Sequence, residues 1–354
     1  MLDLIIRDGL VVSPAGMRRS SLGIVEGRIA VIFDREPEAG AAATIEAAGK
    51  IIMHGPVDAH VHFREPGLVH KEGFANGTQA AAAGGVTTVM VMPTDRPMTT
   101  TPDLFMQKME LAAGACHVDY ALQAGLGPDS GHLRQLAELG AVSFEIFLAD
   151  LAPPMLVDAA ADLLACLAAV HSVNGIAGIT PGDDSVVRAR TLEAQSADPV
   201  DPLGFARSRP PIAEALGLAR ACLAIAETRA RAHIRQVSCA SSVEVLRALA
   251  PAWTSSEVTP HNLMLDEREL ARQGPLAKVV PPLRRHEDIE AVRAALREGT
   301  ITMVATDHAP HLPDEKRPAD GDIWKAPGGF PGVQTFLPLM LRLVGDGLLT
   351  YPQL

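Results

Sequence analysis

Two short stretches, far apart in the chain, carry the residue types that bind metals and move protons. The first is Asp58-Ala-His60-Val-His62-Phe-Arg64-Glu-Pro-Gly67. Side chains of an extended strand alternate between faces, so His60 and His62 point the same way and two imidazoles can share one cation. The second is Ile301-Thr-Met-Val-Ala-Thr-Asp307-His-Ala-Pro-His311, an apolar run ending in an acid and two histidines. Such an acid suits a metal ligand or a general base; it would equally serve to cap the next helix. Glu145 lies inside the apolar run Val142 to Leu148, where a metal, a basic neighbour or a proton must offset the cost of burying it.

Holding these residues together requires a scaffold. From about Val57 onward, apolar strand-like runs alternate with Ala- and Leu-rich helical stretches, the pattern of βα units. The strand candidates are Val57 to Phe63, Val86 to Met92, Val118 to Ala124, Val142 to Leu148, Gly175 to Ile179, His233 to Val237, Trp253 to Val258 and Ile301 to Ala305. Eight strands with intervening helices predict an α/β chain built on a (β/α)8 barrel, with reactive residues at the C-terminal strand ends. His60 and His62 then sit at the end of strand one and Asp307 after strand eight, which are neighbours when the barrel closes. Residues 1–53 read instead as short strands, with turns at Asp8-Gly9 and Glu26-Gly27 and a loose stretch at Pro37 to Ala43. The expected division is a small β-sandwich part, 1–53, and a barrel, 54–354.

Composition narrows the partners. The 354 residues carry a net charge of −11, which repels nucleic-acid phosphates and anionic lipid. No apolar run reaches the roughly 18 residues of a membrane helix, and the first residues lack the basic start and apolar core of a secretory signal. The four cysteines show no CxxC spacing, which fits a reducing cytoplasm. Gly125-Leu-Gly127 reads as a turn, Ser241-Ser242 beside Cys239 has no base to form a triad, and Arg284-Arg285-His286 reads as a solvated helix start.

The segments Asp58 to Gly67, Gly84-Gly-Val-Thr-Thr-Val with Met92-Pro93, Val258-Thr-Pro-His261, Pro281-Pro-Leu-Arg284 and Ala305 to His311 resemble the cyclic amidohydrolases. Within that family the likeness is to dihydroorotase, with allantoinase and hydantoinase as near relatives. The resemblance implies a metal-dependent barrel beside a small β-sandwich, acting on cyclic amide or ureide bonds. It also implies a zinc centre whose ligands include His60, His62 and Asp307, the last shuttling the proton. At the strand-four position, where the family has a carboxylated lysine, this chain has Glu145, whose carboxylate can still ligate.

Other positions depart from the family pattern. Strand five, Asn174-Gly-Ile-Ala-Gly-Ile-Thr180, has no histidine, and strand six has Gln236 at the ligand position; His233, three residues earlier, reads as a hydrogen-bonded core residue. The expectation is therefore one zinc ion rather than two, held by His60, His62, Glu145 and Asp307, with other divalent metals fitting the same donors. Four protein ligands describe a closed structural site as well as an open catalytic one. For the substrate, the resemblance points to Arg64, Thr94 and His311. Arg64 suits an anionic group, and a salt bridge to Glu65 or Glu72 is the alternative.

Two functions compete on these grounds. One is a metal-dependent hydrolase of a cyclic amide or related C–N bond in a small molecule, with Asp307 as the catalytic acid and base. The other is a catalytically silent dihydroorotase-like subunit that binds or assembles with a metabolic enzyme such as aspartate transcarbamoylase. Family members continue beyond the eighth barrel helix to complete the sandwich, so an end at Leu354 leaves strand edges that favour a homo-oligomer.

Overall fold

Strand β1 (Leu2–Ser13) is the centre of an N-terminal sheet with β2 (Gly16–Val25), β3 (Arg28–Phe33), β4 (Ala41–Glu46) and β5 (Ile51–Ile52). The order is β3-β2-β1-β4, and β5 also pairs with β1. Glu26 and Gly27 both have positive φ, as a two-residue hairpin turn between β2 and β3 demands. Asp8-Gly9 is not the turn its composition suggests. β1 runs straight through it, and the pairing with β2 slips between Ile6 and Gly9, so the pair forms a bulge inside one long strand. This computed structural model describes residues 1–34, 40–198 and 200–354; of the loose stretch expected at Pro37 to Ala43, residues 37–39 lie outside them, and Ala41 to Ala43 are already strand.

The second set of strands is parallel and alternates with helices. It comprises β6 (Val57–Val61), β7 (Thr88–Val91), β8 (Asp119–Leu122), β9 (Ala124–Gly125), β10 (Phe144–Phe147), β11 (Ile176–Thr180), β12 (Arg231–Ile234), β13 (Thr254–Val258) and β14 (Met303–Val304). β6 to β8 form one ladder and β9 to β14 another. Gln123 alone separates β8 from β9, and its backbone N–H reaches Val91 while that of Ala124 reaches Ser143. The ring closes where Val61 bridges His308 and the His62 N–H donates to the His308 carbonyl at 2.7 Å. All eight barrel strands expected from the sequence are present, with the third position of the ring extended by the short β9.

Chain contacts define two compact units, Met1–Gly55 with Leu339–Leu354, and Pro56–Pro338. The last sixteen residues thus group with the N-terminal sheet, whereas the sequence pattern had assigned them to the barrel. Among the described residues no helix is long and apolar enough to cross a membrane, and the four cysteines are free.

Polar strands reveal where the chemistry lies. β13 reads Thr-Ser-Ser-Glu-Val, yet Ser256 and Glu257 are buried. A strand that places a carboxylate inside a barrel has to be met by donors from its neighbours. β11 contributes room instead: Gly178 lies opposite Glu145 in the ladder, and a Cβ there would come within 2.2 Å of both Glu145 oxygens.

Candidate metal centre and active site

Three side chains converge at the C-terminal end of the barrel strands. His60 is the last residue but one of β6, His62 follows the strand one alternation later, and Asp307 follows β14. His60 Nε2 lies 3.2 Å from His62 Nε2 and 3.2 Å from Asp307 Oδ1, and His62 Nε2 lies 3.0 Å from the same oxygen. Ligands about 2.0–2.1 Å from a tetrahedral zinc are about 3.3 Å apart, so this triangle has the dimensions of one face of such a site. Among the described residues it is the one cluster of histidines and acids with metal-binding spacing.

The far nitrogens of both rings are engaged. His60 Nδ1 meets Glu257 Oε1 at 2.5 Å, and His62 Nδ1 meets Thr94 Oγ1 at 2.6 Å. Pinning one ring nitrogen to a carboxylate or hydroxyl directs the other lone pair, which is how metal-binding histidines are oriented. Burial pushes His60 toward the neutral form, but the Glu257 and Asp307 carboxylates outweigh it and raise its pKa. His62 goes the other way, lowered to about 4 chiefly by burial, so it is neutral at physiological pH. Burial alone would raise Asp307, but the surrounding imidazoles hold it below the usual carboxylate range, so it stays ionised. The chemistry and spacing of these donors therefore fit a divalent ion.

Glu145 is not part of the triangle. Its Oε1 accepts from Arg235 Nη2 at 2.7 Å and from Ser143 Oγ at 2.7 Å, and its Oε2 accepts from Arg235 Nε at 3.1 Å. Of the three ways to offset this buried acid, the structure uses the basic neighbour. Burial raises the Glu145 pKa and Arg235 overrides it, leaving the carboxyl below its usual range. The expected fourth ligand is thus a structural counter-ion.

Arg235 is the residue that sequence reasoning passed over. It follows β12, one position before Gln236 and two after His233. Gln236 has φ of +53°, so strand alternation ends there and its side chain also turns inward, where Nε2 donates to Asp307 Oδ2 at 2.6 Å. His233 is buried as expected, with Nδ1 at Ser255 and Nε2 at Glu257 Oε2. A run of His, Arg and Gln in an otherwise apolar strand was the available signal.

The residues assigned to substrate fall into two groups. Thr94 is the partner of the His62 ring. Arg64 makes neither of the salt bridges considered for it: Nε donates to the Pro310 carbonyl and Nη2 lies 3.0 Å from His311 Nε2. Glu65 instead accepts from the Phe74 N–H, and Glu72 meets His308 Nε2. Lys71 Nζ approaches the other nitrogen of His311 at 3.0 Å. Burial and the two cations push His311 down to about 3, so a neutral ring sits between two positive groups beside the triangle. His261, in the Thr-Pro-His segment after β13, is buried with Nε2 unpartnered among the described residues, and burial lowers its pKa to about 4. Arg284 is not solvated: it is buried against Glu214 and Ser238, while Arg285 stays exposed.

A closed parallel barrel with a two-histidine, one-carboxylate cluster at its C-terminal strand ends defines the amidohydrolase class of metal-dependent enzymes. Comparisons with known proteins narrow this class. The family model described as Dihydro-orotase-like matches residues 49–117. An allantoinase of Rubrobacter xylanophilus is 34% identical over 96% of this chain and 75% of its own length. A dihydroorotase of Halobacterium salinarum is 39% identical over 85% of this chain and 68% of its own. The solved L-hydantoinase (dihydropyrimidinase) of Arthrobacter aurescens superposes with a TM-score of 0.94 at 29% identity, covering all of this chain and 80% of that one. The chain belongs to the dihydroorotase-like cyclic amidohydrolases, a family of metal-dependent hydrolases.

Proposed function

We propose that this protein hydrolyses a cyclic amide or ureide in a small cytoplasmic substrate, using one divalent ion, zinc, held by His60, His62 and Asp307. The observation that carries the reading is the 3.0–3.2 Å triangle of donor atoms with both outer ring nitrogens fixed. A divalent ion in that position supplies Lewis-acid polarisation of the scissile carbonyl and lowers the pKa of the attacking water.

The chain's own groups account for the rest. Asp307 is ionised at neutral pH, so with Oδ1 among the metal donors its Oδ2 can take the proton released by the attacking water and return it to the leaving nitrogen. Gln236 holds Oδ2 and keeps Oδ1 turned toward the histidines. Arg64, with Lys71 behind a neutral His311, supports an anionic substituent on the substrate ring.

The test is metal content of protein purified without chelator, followed by hydrolysis of dihydroorotate, allantoin, hydantoins and dihydropyrimidines. One zinc per chain, lost in His60→Ala, and turnover of a ring substrate that disappears in Asp307→Ala are expected. Protein that binds no zinc or manganese and opens none of these rings would make the silent-subunit reading the better one.

A further inference from the structure

The barrel helix Pro211–Thr228 is apolar on both of its sides. Its inner face buries Ala213, Leu218, Ala221, Cys222 and Ile225. A helix on the outside of a barrel turns a polar face to water, yet Ile212, Leu216 and Leu223 are 53%, 45% and 61% exposed. Ala226 is exposed and Ala219 half-buried in line with them, and no charged residue is exposed on this helix before Glu227. A helix that is hydrophobic all round is one whose surroundings bury it on every side.

The spacing indicates what covers the bare side. Ile212, Leu216, Ala219, Leu223 and Ala226 follow one another at intervals of four, three, four and three, the repeat that keeps a seam facing a second helix. Turned end for end about Ala219, this seam matches itself. Ile212 of one copy falls opposite Ala226 of the other, Leu216 falls opposite Leu223, and the two Ala219 side chains meet on the axis, where their small size lets the helices approach closely. A two-fold contact requires such a self-match, because every pairing in it is made twice.

Charge points the same way. Glu227 is exposed in the last turn of the helix, and its carboxylate has no ion-pair or hydrogen-bond partner among the described residues. An acid at that end opposes the dipole of its own helix. In the end-for-end arrangement Glu227 lies beside Pro211 of the other copy, at the positive N-terminal end, where a negative charge is favourable.

The helix Ala160–Ser172 widens the face. It is joined to its neighbour by Arg220 at the Asp158 carbonyl and by His171 at the Arg229 carbonyl, and it exposes Leu164, Ala165 and Ala168. The seam is about 21 Å long, and with the second helix the apolar face is on the order of 300–400 Å². That is enough for the dry core of a standard interface of about 800 Å² per partner, whose rim is polar.

We propose that this face docks a second copy of the chain, through antiparallel 211–228 helices on a two-fold axis at Ala219. None of the residues that hold the ion takes part, so the proposal stands or falls apart from the proposed function.

The experiment is sedimentation velocity of the full chain at micromolar concentration. Wild type is expected to sediment as an even number of copies, and Leu216→Glu with Leu223→Glu as half that number with unchanged circular dichroism. Glu227→Lys should weaken association by about tenfold, even though it improves the charge at its own helix end, because the contact is made twice. Ala219→Cys reports the register. At a helix separation of about 8–10 Å the two positions on the axis come within disulfide range, so mild oxidation should link the copies in high yield. Ala248→Cys, exposed on the next helix, should not link above the wild-type background. Wild type that sediments as a single chain or an odd number of copies overturns the proposal. So does an oligomer whose size survives Leu216→Glu with Leu223→Glu, since its interface then lies elsewhere. Should that double variant fail to fold, Ala219→Cys decides alone: no link above background refutes the antiparallel contact.

Discussion

Gln236 holds the oxygen of Asp307 that the histidines leave free: its Nε2 lies 2.6 Å from Oδ2, while Oδ1 faces His60 and His62. The same nitrogen donates to the Val280 carbonyl at 3.0 Å, so both N–H groups of the glutamine amide are engaged. Replacing it with leucine frees the Asp307 carboxylate to rotate. Partners of this kind contribute about 10–100-fold to metal affinity or turnover. Gln236→Leu should therefore weaken zinc binding within that range, measured by competition with a chromophoric chelator, with the melting temperature little changed. Wild-type affinity would mean that the imidazoles alone orient Asp307.

Thr94 does for His62 what Glu257 does for His60. Thr94→Val keeps the shape and removes the hydroxyl 2.6 Å from Nδ1. The ring is then free to tilt, and zinc affinity should fall by about tenfold while Thr94→Ser stays near wild type. If Thr94→Val instead raised KM with metal affinity intact, Thr94 would be a substrate contact, as the family resemblance suggested.

Acid should loosen the barrel from within. Glu145 and Glu257 are both held below the usual carboxylate range, in each case because Arg235 overrides the upward push of burial. A folded-state pKa below the unfolded one gives stability that is complete above the unfolded value, near 4.5, and is lost as pH falls through the folded value. Unfolding in that window takes up protons, so the urea midpoint should drop steadily below about pH 4.5. Glu145→Gln should reduce the slope by about one proton. A midpoint insensitive to pH in this range would show that neither carboxylate is stabilised by the arginine.

Much of this was legible in the sequence, for reasons of period and position. Period-two alternation placed His60 and His62 on one face, and the eight apolar runs fixed a barrel whose first and last strands meet. Asp307 therefore had to come near the pair. What could not be read was the partner of Glu145. The requirement for a metal, a base or a proton was evident, but the guanidinium comes from a residue 90 positions later, and ladder register decides which of them meet. The positive φ at Gln236 was equally invisible, and it turns two successive side chains, Arg235 and Gln236, into the same interior. Asp8-Gly9 failed in the opposite sense, since the dipeptide that favours a turn was absorbed as a bulge by pairing on both sides.

Gly178 is where register and charge meet. An alanine there would bring Cβ within 2.2 Å of the Glu145 oxygens, and neither the strand nor the ion pair has room to yield. Gly178→Ala should cost about 2–4 kcal/mol in urea unfolding, from overpacking together with partial separation of a buried pair. Gly175→Ala, also tight but against the Phe144 ring, should cost less and leave metal binding unaltered. Equal losses at the two sites would indicate that the effect is packing alone.

The segment from His311 to Phe330 bears on the site through two buried lysines that have carbonyls, not acids, as hydrogen-bond partners. Lys316 Nζ donates to the carbonyls of Lys278, Pro327 and Gly329, and Lys278 Nζ donates to those of Ile323, Trp324 and Ala326. The loop so fastened presents the Gly328 carbonyl to His311 and packs Phe330 edge-on against His261, with ring centres 5.2 Å apart. Lys316→Met fills similar space and takes a donor from three carbonyls, of which that of Lys278 keeps the Gly329 N–H, at a cost of about 2–3 kcal/mol. Because the triangle lies on other elements, the variant should bind zinc like wild type. Its defect should appear in KM for anionic ring substrates, through the loosened His311 and Arg64, with kcat nearly preserved. A fall in kcat at unchanged KM would place this loop in the chemical step instead of in substrate capture.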